Sequence, residues 1–133
     1  MASLIEELID TLNLENDEYG KLLELSRQKS AAIVARNITA IEKITDDEQI
    51  VLTTIGNLDA KRAQVTADIA DVINKDVETL KLSVLIELLS KQPNEQRALS
   101  EIHDKLKNTV ESVRAINESN KQLIDQSDRK SVV

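Results

Sequence analysis

Apolar residues recur along the chain in three long stretches, at the three-and-four spacing of an amphipathic helix. In the first stretch, residues 3 to 35, heptad steps give two rows. One is Ile5, Leu12, Tyr19, Ser26 and Ile33; the other is Leu8, Glu15, Leu22 and Lys29. The rows are aliphatic near the N-terminus and turn polar toward Ser26 and Lys29. Ser3, with Glu6 and Glu7 behind it, has the chemistry of an N-cap and an acidic first turn. Gly20 sits mid-pattern, where it costs about 1 kcal/mol relative to alanine. It is expected to mark a close helix approach or a bend, and Asn16-Asp17 leaves a break open there.

Arg36-Asn37-Ile38-Thr39 reads as a tight connection in which Asn37 closes one helix or caps the next. The second stretch, residues 38 to 74, carries Ile44, Val51, Leu58, Val65 and Val72 in one row, apolar throughout. Its partner row is Ile41, Glu48, Ile55, Arg62 and Ile69, so Glu48 and Arg62 are expected at an edge or in partly hydrated layers. Gly56 is a second mid-helix glycine. Thr45-Asp46-Asp47-Glu48 has the form of a capping box, but the apolar row passes through it without a change of phase, which favours one continuous helix. After Lys75-Asp76, Ser83 is placed to cap a short helix that runs to about Ser90. Val84-Leu85-Ile86-Glu87-Leu88-Leu89 is apolar nearly all round, as suits a wedge inside a bundle or a surface awaiting a partner. Pro93 suits the first turn of a third long helix, with Glu95 following. The rows there are Leu99, Leu106, Val113 and Asn120, then Ile102, Thr109, Ile116 and Leu123. Periodicity fades after Ile124, so residues 125–133 are expected to fray.

The fold class expected is therefore all-α. Three long helices form an elongated antiparallel bundle, up-down-up, with a short connecting helix before the last, in a single domain over residues 1–133. Composition narrows this further. The chain has two Gly, one Pro and no Cys in 133 residues. That is too little turn chemistry for an all-β or doubly wound fold, and it leaves no disulfide or thiolate site. With one His, a metal site is not expected, nor is any cofactor. The net charge of −7 opposes nucleic acid and anionic membranes as partners. No stretch approaches the ~20 apolar residues of a membrane span, and MASLIEELID lacks the basic start of a secretory leader. The expectation is a cytoplasmic protein with no membrane insertion.

Candidate chemistry is sparse. There is no phosphate loop, no HExxH and no EF-hand pattern. His103 reads as a lone surface histidine, and Glu6-Glu7 and Asp46-Asp47 as solvated acid pairs, so no enzyme activity is expected. Asn117 and Asn120 are more informative. They share a helix face with Ile116, Leu123 and Ile124, where they either fix register inside the bundle or line a groove for a partner helix.

Three segments together resemble the FlgN family of flagellar type III export chaperones. Residues Arg36-Asn37-Ile38-Thr39-Ala40-Ile41-Glu42 resemble its short polar connection leading into an acidic helix. Leu80-Lys81-Leu82-Ser83-Val84-Leu85-Ile86-Glu87-Leu88-Leu89 resembles its T-L-S-E-L-I-E segment. Ile116-Asn117-Glu118-Ser119-Asn120-Lys121-Gln122-Leu123-Ile124 is similar to its L-N-x-x-N-x-x-L-L signature. The resemblance implies a cytoplasmic chaperone that binds the C-terminal helices of hook-associated proteins. Such a chaperone prevents premature assembly and delivers its clients to the export apparatus. The partner-binding positions it implies are Ile116, Asn117, Asn120, Leu123 and Ile124, with Val113 one heptad step before Asn120. Leu85, Leu88 and Leu89 form the second candidate surface. The family often continues with apolar helix past the asparagine signature, whereas here Asp125-Gln126-Ser127-Asp128-Arg129-Lys130 follows. The competing reading is a structural or regulatory bundle that self-associates, as a homo-oligomer, or binds another helical partner.

Overall fold

A computed structural model describes the backbone of residues 2–132 and the side chains of residues 3–126. Four α-helices carry the described chain: α1 (Ala2–Val34), α2 (Ile38–Val72), α3 (Leu82–Leu88) and α4 (Pro93–Val132), with a 3-10 turn at Val77–Thr79 before α3. No strand occurs among the described residues, so the fold is all-α. Over residues 125–133, where fraying is expected, the described backbone stays helical through Val132, while the side chains of residues 127–133 lie outside the description.

Local chemistry sets the helix ends. Arg36 takes a left-handed φ of 55°. Asn37 N–H then donates to the Ala32 carbonyl at 2.9 Å and Arg36 N–H to that of Ile33 at 3.0 Å, the paired bonds of a Schellman stop. Asn37 caps α2 as expected, with its Oδ1 accepting from Ala40 N–H at 3.1 Å. Two other expected caps are not used. Ser3 lies inside α1, and α3 begins at Leu82 after Lys81, so Ser83 is already helical. The capping-box segment in α2 does not interrupt the helix; Thr45 Oγ1 donates back to the Ile41 carbonyl at 2.8 Å instead. Neither mid-helix glycine marks a close approach, since a Cβ built at Gly20 or Gly56 meets nothing within 4 Å.

The polar interruptions of the first two heptad rows answer one another. Arg62 Nη1 lies 3.7 Å from Glu15 Oε2, and Lys29 Nζ lies 2.9 Å from Glu48 Oε1. Between them Leu22 and Ile55 share a hydrophobic cluster. The rows Glu15-Leu22-Lys29 and Arg62-Ile55-Glu48 thus run antiparallel in matched layers, charge pair, apolar pair, charge pair. A slip of one heptad would set Glu15 against Ile55, a mismatch that specifies the register. Glu48, expected at an edge or in a hydrated layer, is buried because Lys29 covers it.

α4 runs the same way as α1. Thr109 donates to Asn16 at 2.8 Å, and further along α1 Ser30 donates to Asn120. α1 packs against both α2 and α4. No Cα of α2 comes within 8 Å of a Cα of α4 among the described residues. The two flanking helices therefore stand apart over α1.

The main core gathers at one end. Ile5, Leu8 and Leu12 of α1 pack there with Val65 and Ile69 of α2, Leu85 of α3 and Leu99 of α4. The short helix is two-faced. Leu85 and Leu89 are buried, whereas Val84 and Leu88 are exposed. Gln96 Nε2 ties it to α4 by donating to the Ile86 carbonyl at 2.9 Å. The far end of the molecule is held by polar groups in place of a second large core.

Candidate helix-docking groove

Because α2 and α4 do not meet, a furrow runs between them with α1 as its floor. Its α4 wall is a stripe at heptad spacing, His103, Val110, Asn117 and Ile124, one step round the helix from the buried row. Two depressions of about 310 and 320 Å³ lie along it, separated by the Leu22–Ile55–Val113 cluster. A third, of about 530 Å³, adjoins the first through Asp59, Arg62 and Leu82 and is closed on its other side by Leu80 and Leu85.

The depression at the polar end contains several of the sequence candidates. Asn120 is buried; its Nδ2 donates to the Ser26 carbonyl at 2.9 Å, and its Oδ1 accepts from Ser30. Ser26 Oγ reaches both Asn117 Oδ1, at 3.1 Å, and Glu48 Oε2, at 3.4 Å. One polar layer thus joins all three long helices. Asn120 acts here as an internal register device, while Asn117 is exposed beside it on the wall. Ile124, 37% exposed, lines the same depression with Lys121 and Asp125. Ile116 and Leu123 are half-buried, and Val113 is buried against Leu22 and Ile55. The six candidates therefore divide. Asn117 and Ile124 face the furrow, Val113 and Asn120 hold α4 to α1, and Ile116 and Leu123 lie on the far side of that buried row and do not line the furrow. Of the second candidate surface, Leu88 is exposed, while Leu85 and Leu89 belong to the core.

The central depression contains residues that sequence reasoning passed over as broken heptad positions. Glu15 sits on its floor at 1% exposure, with Tyr19 beside it and Asp59 and Arg62 on the α2 wall. Burial pushes the Glu15 carboxyl up to about 7. The neighbouring Asp59 carboxyl adds to this, and the Arg62 charge offsets part of it. The Tyr19 phenol is also held above its ordinary value, first by burial and then by Asp59 and Glu15. His103 stands on the opposite wall, its Nδ1 3.4 Å from Asp104 Oδ1. The signal that could have found this cluster is the charge complementarity of the interrupted rows in α1 and α2.

No cluster of metal-binding side chains occurs among the described residues, and no described helix is long and apolar enough to cross a membrane. The model of a family described as FlgN protein matches residues 1–129. The chain belongs to the FlgN family. Membership gives it the general role of a flagellar export chaperone, a protein that binds flagellar proteins. No curated protein and no solved structure matches the chain.

Proposed function

We propose that this FlgN-family chaperone holds the amphipathic C-terminal helices of hook-associated proteins in the furrow between α2 and α4. It thereby prevents their premature assembly and hands them to the export apparatus in the cytoplasm. The three long helices act as an elongated antiparallel bundle that the client helix completes. The observation that carries this reading is the separation of α2 from α4 over α1, which leaves Val110 half-buried and Ile124 exposed along the α4 wall, opposite a polar α2 wall of Glu48, Asp59, Arg62 and Thr66. A helix is about 10 Å across with its side chains, and laying its apolar face on such a wall removes that face from water. Val110, Asn117 and Ile124 are the α4 contacts; Val113 and Asn120 keep that wall in register. Hand-over needs no nucleotide, because competition at the export apparatus can strip a helix held by surface packing.

The test is a calorimetric titration of the full chain with the isolated C-terminal segment of a hook-associated subunit from the same organism. Saturable 1:1 binding with a negative heat-capacity change supports apolar helix docking. Replacing Leu123 and Ile124 together by Asp should abolish it while far-UV helicity persists. Unchanged affinity in that variant would remove this end of α4 from the site. Exposed Val34 and Ile38, at 71% and 69%, favour a second reading in which copies of the chain associate through the α1–α2 turn. Light scattering of the free protein decides that point.

A further inference from the structure

The two charged layers of the furrow floor are not alike. Glu48 is closed: Lys29 Nζ lies 2.9 Å from one oxygen, and Ser26 Oγ donates to the other at 3.4 Å. Glu15 is open. Its side chain is more deeply buried, yet Oε1 has no hydrogen-bond partner, and Oε2 has Arg62 no nearer than 3.7 Å. Asp59 approaches from α2, but as a carboxylate it is a second acceptor, able to satisfy Glu15 only when one of the two holds a proton. At the rim, Lys107 and Arg114 of α4 offset Glu111, with His103 beside them. Glu15 on the floor and the exposed Asp59 on the α2 wall face a single guanidinium. A buried, unsatisfied acceptor beneath an open depression lacks a hydrogen-bond donor.

We propose that Glu15 on the floor and Asp59 on the α2 wall together receive one lysine or arginine side chain carried on the apolar face of the docked client helix. The inference rests on docking in the furrow and adds the chemistry of the residue that must be at its centre. The incoming cation donates to Glu15 Oε1 and to Asp59, and the proton on Glu15, where it is held, leaves to solvent. No covalent bond changes between heavy atoms. The apolar contacts at Val110 and Leu106 position the helix, and the cation fixes which face and which register it presents.

The proton exchange gives a readout that packing alone would not move. With Glu15 titrating near 7, binding at pH 7 releases about half a proton. Affinity should fall as pH drops below that value, approaching about tenfold per unit. The experiment is titration of the full chain with the C-terminal segment of the hook-associated subunit, in phosphate and in Tris, at pH 6, 7 and 8. Glu15→Gln should bind at least tenfold more weakly and lose the buffer-dependent heat, and Asp59→Asn should act in the same direction. Among client basic residues changed singly to Gln, one position should weaken binding to the wild type and leave binding to Glu15→Gln unaltered. Val110→Trp, which fills the central depression while leaving Glu15 and Asp59 unchanged in sequence, separates the two claims. If Val110→Trp blocks binding while Glu15→Gln binds as the wild type with no proton released, the cation site is wrong and the furrow reading survives. If both variants bind as the wild type, the furrow reading fails and takes this inference with it.

Discussion

Replacing Glu15 by Gln should make the free protein more stable above neutral pH. In the folded chain the carboxyl is raised from 4.5 to about 7, chiefly by burial. From pH 4.5 to 7 the folded state therefore holds a proton that the unfolded state has released. Stability falls as pH rises across that window and is flat above it. The difference of about 2.5 units corresponds to about 3 kcal/mol at 1.36 kcal/mol per unit. The glutamine side chain keeps the shape and carries no charge. The difference in unfolding free energy between variant and wild type should thus be small near pH 4.5, grow in favour of the variant up to pH 7, and level off at about 3 kcal/mol. Urea denaturation followed by circular dichroism at pH 4.5, 6, 7 and 8.5 measures it, and taking the difference cancels the titration of the other carboxylates. A difference that stays constant with pH, or a variant less stable at pH 8.5, would falsify the account of Glu15 as a buried acid without an adequate internal partner. A stabilising change that also weakens client binding is the signature of a residue retained for function at the expense of stability.

Other outcomes follow from the packing. Leu12→Ala opens a cavity among fully buried side chains and should cost about 2–5 kcal/mol by urea denaturation. Asn120→Ala removes the two polar ties that hold α4 to Ser26 and Ser30, leaving the Ser30 hydroxyl to donate to the Ser26 carbonyl, and should cost about 1 kcal/mol; amide exchange should speed up in α4 after Val113 more than before it. Gly20→Ala and Gly56→Ala should each raise stability by about 0.5–1 kcal/mol, because a Cβ meets nothing at either position. A loss in either glycine variant would contradict the open helix face described for it. Lys29→Met leaves Glu48 buried without its cation and should cost about 3 kcal/mol or more. Lys29→Met combined with Glu48→Leu should recover most of that loss.

Much of the architecture is legible in the amino-acid pattern because aliphatic heptads over some thirty residues leave little choice but a long helix. Pro93 and Asn37 mark their boundaries for backbone reasons that act locally. Ser3 and Ser83 misled because a serine near a helix start is a cap only if the helix begins immediately after it, and packing decides that. The glycines misled in the other direction: a residue without a side chain permits a close approach but does not require one. What local pattern cannot supply is which face of each helix meets which neighbour. Val113 and Asn120 lie on the α1 side of α4, whereas Asn117 and Ile124 lie a fraction of a turn away on the open side. Sequence spacing alone groups all four. Glu15 and Arg62 look like defects when each row is read singly, and become a matched layer only when α1 and α2 are aligned antiparallel.

The central claim, that a client helix lies between α2 and α4, is tested most directly by methyl NMR of the full chain. Spectra are compared with and without the C-terminal segment of a hook-associated subunit. Docking in the furrow predicts shifts at Leu82, Leu106, Val110 and Ile124, which line it, and none at Leu14, Ile50 and Val72, which are exposed without lining it. Shifts confined to Leu14, Ile50 and Val72, or to Leu88 on the outer face of α3, would place the client elsewhere and contradict the account.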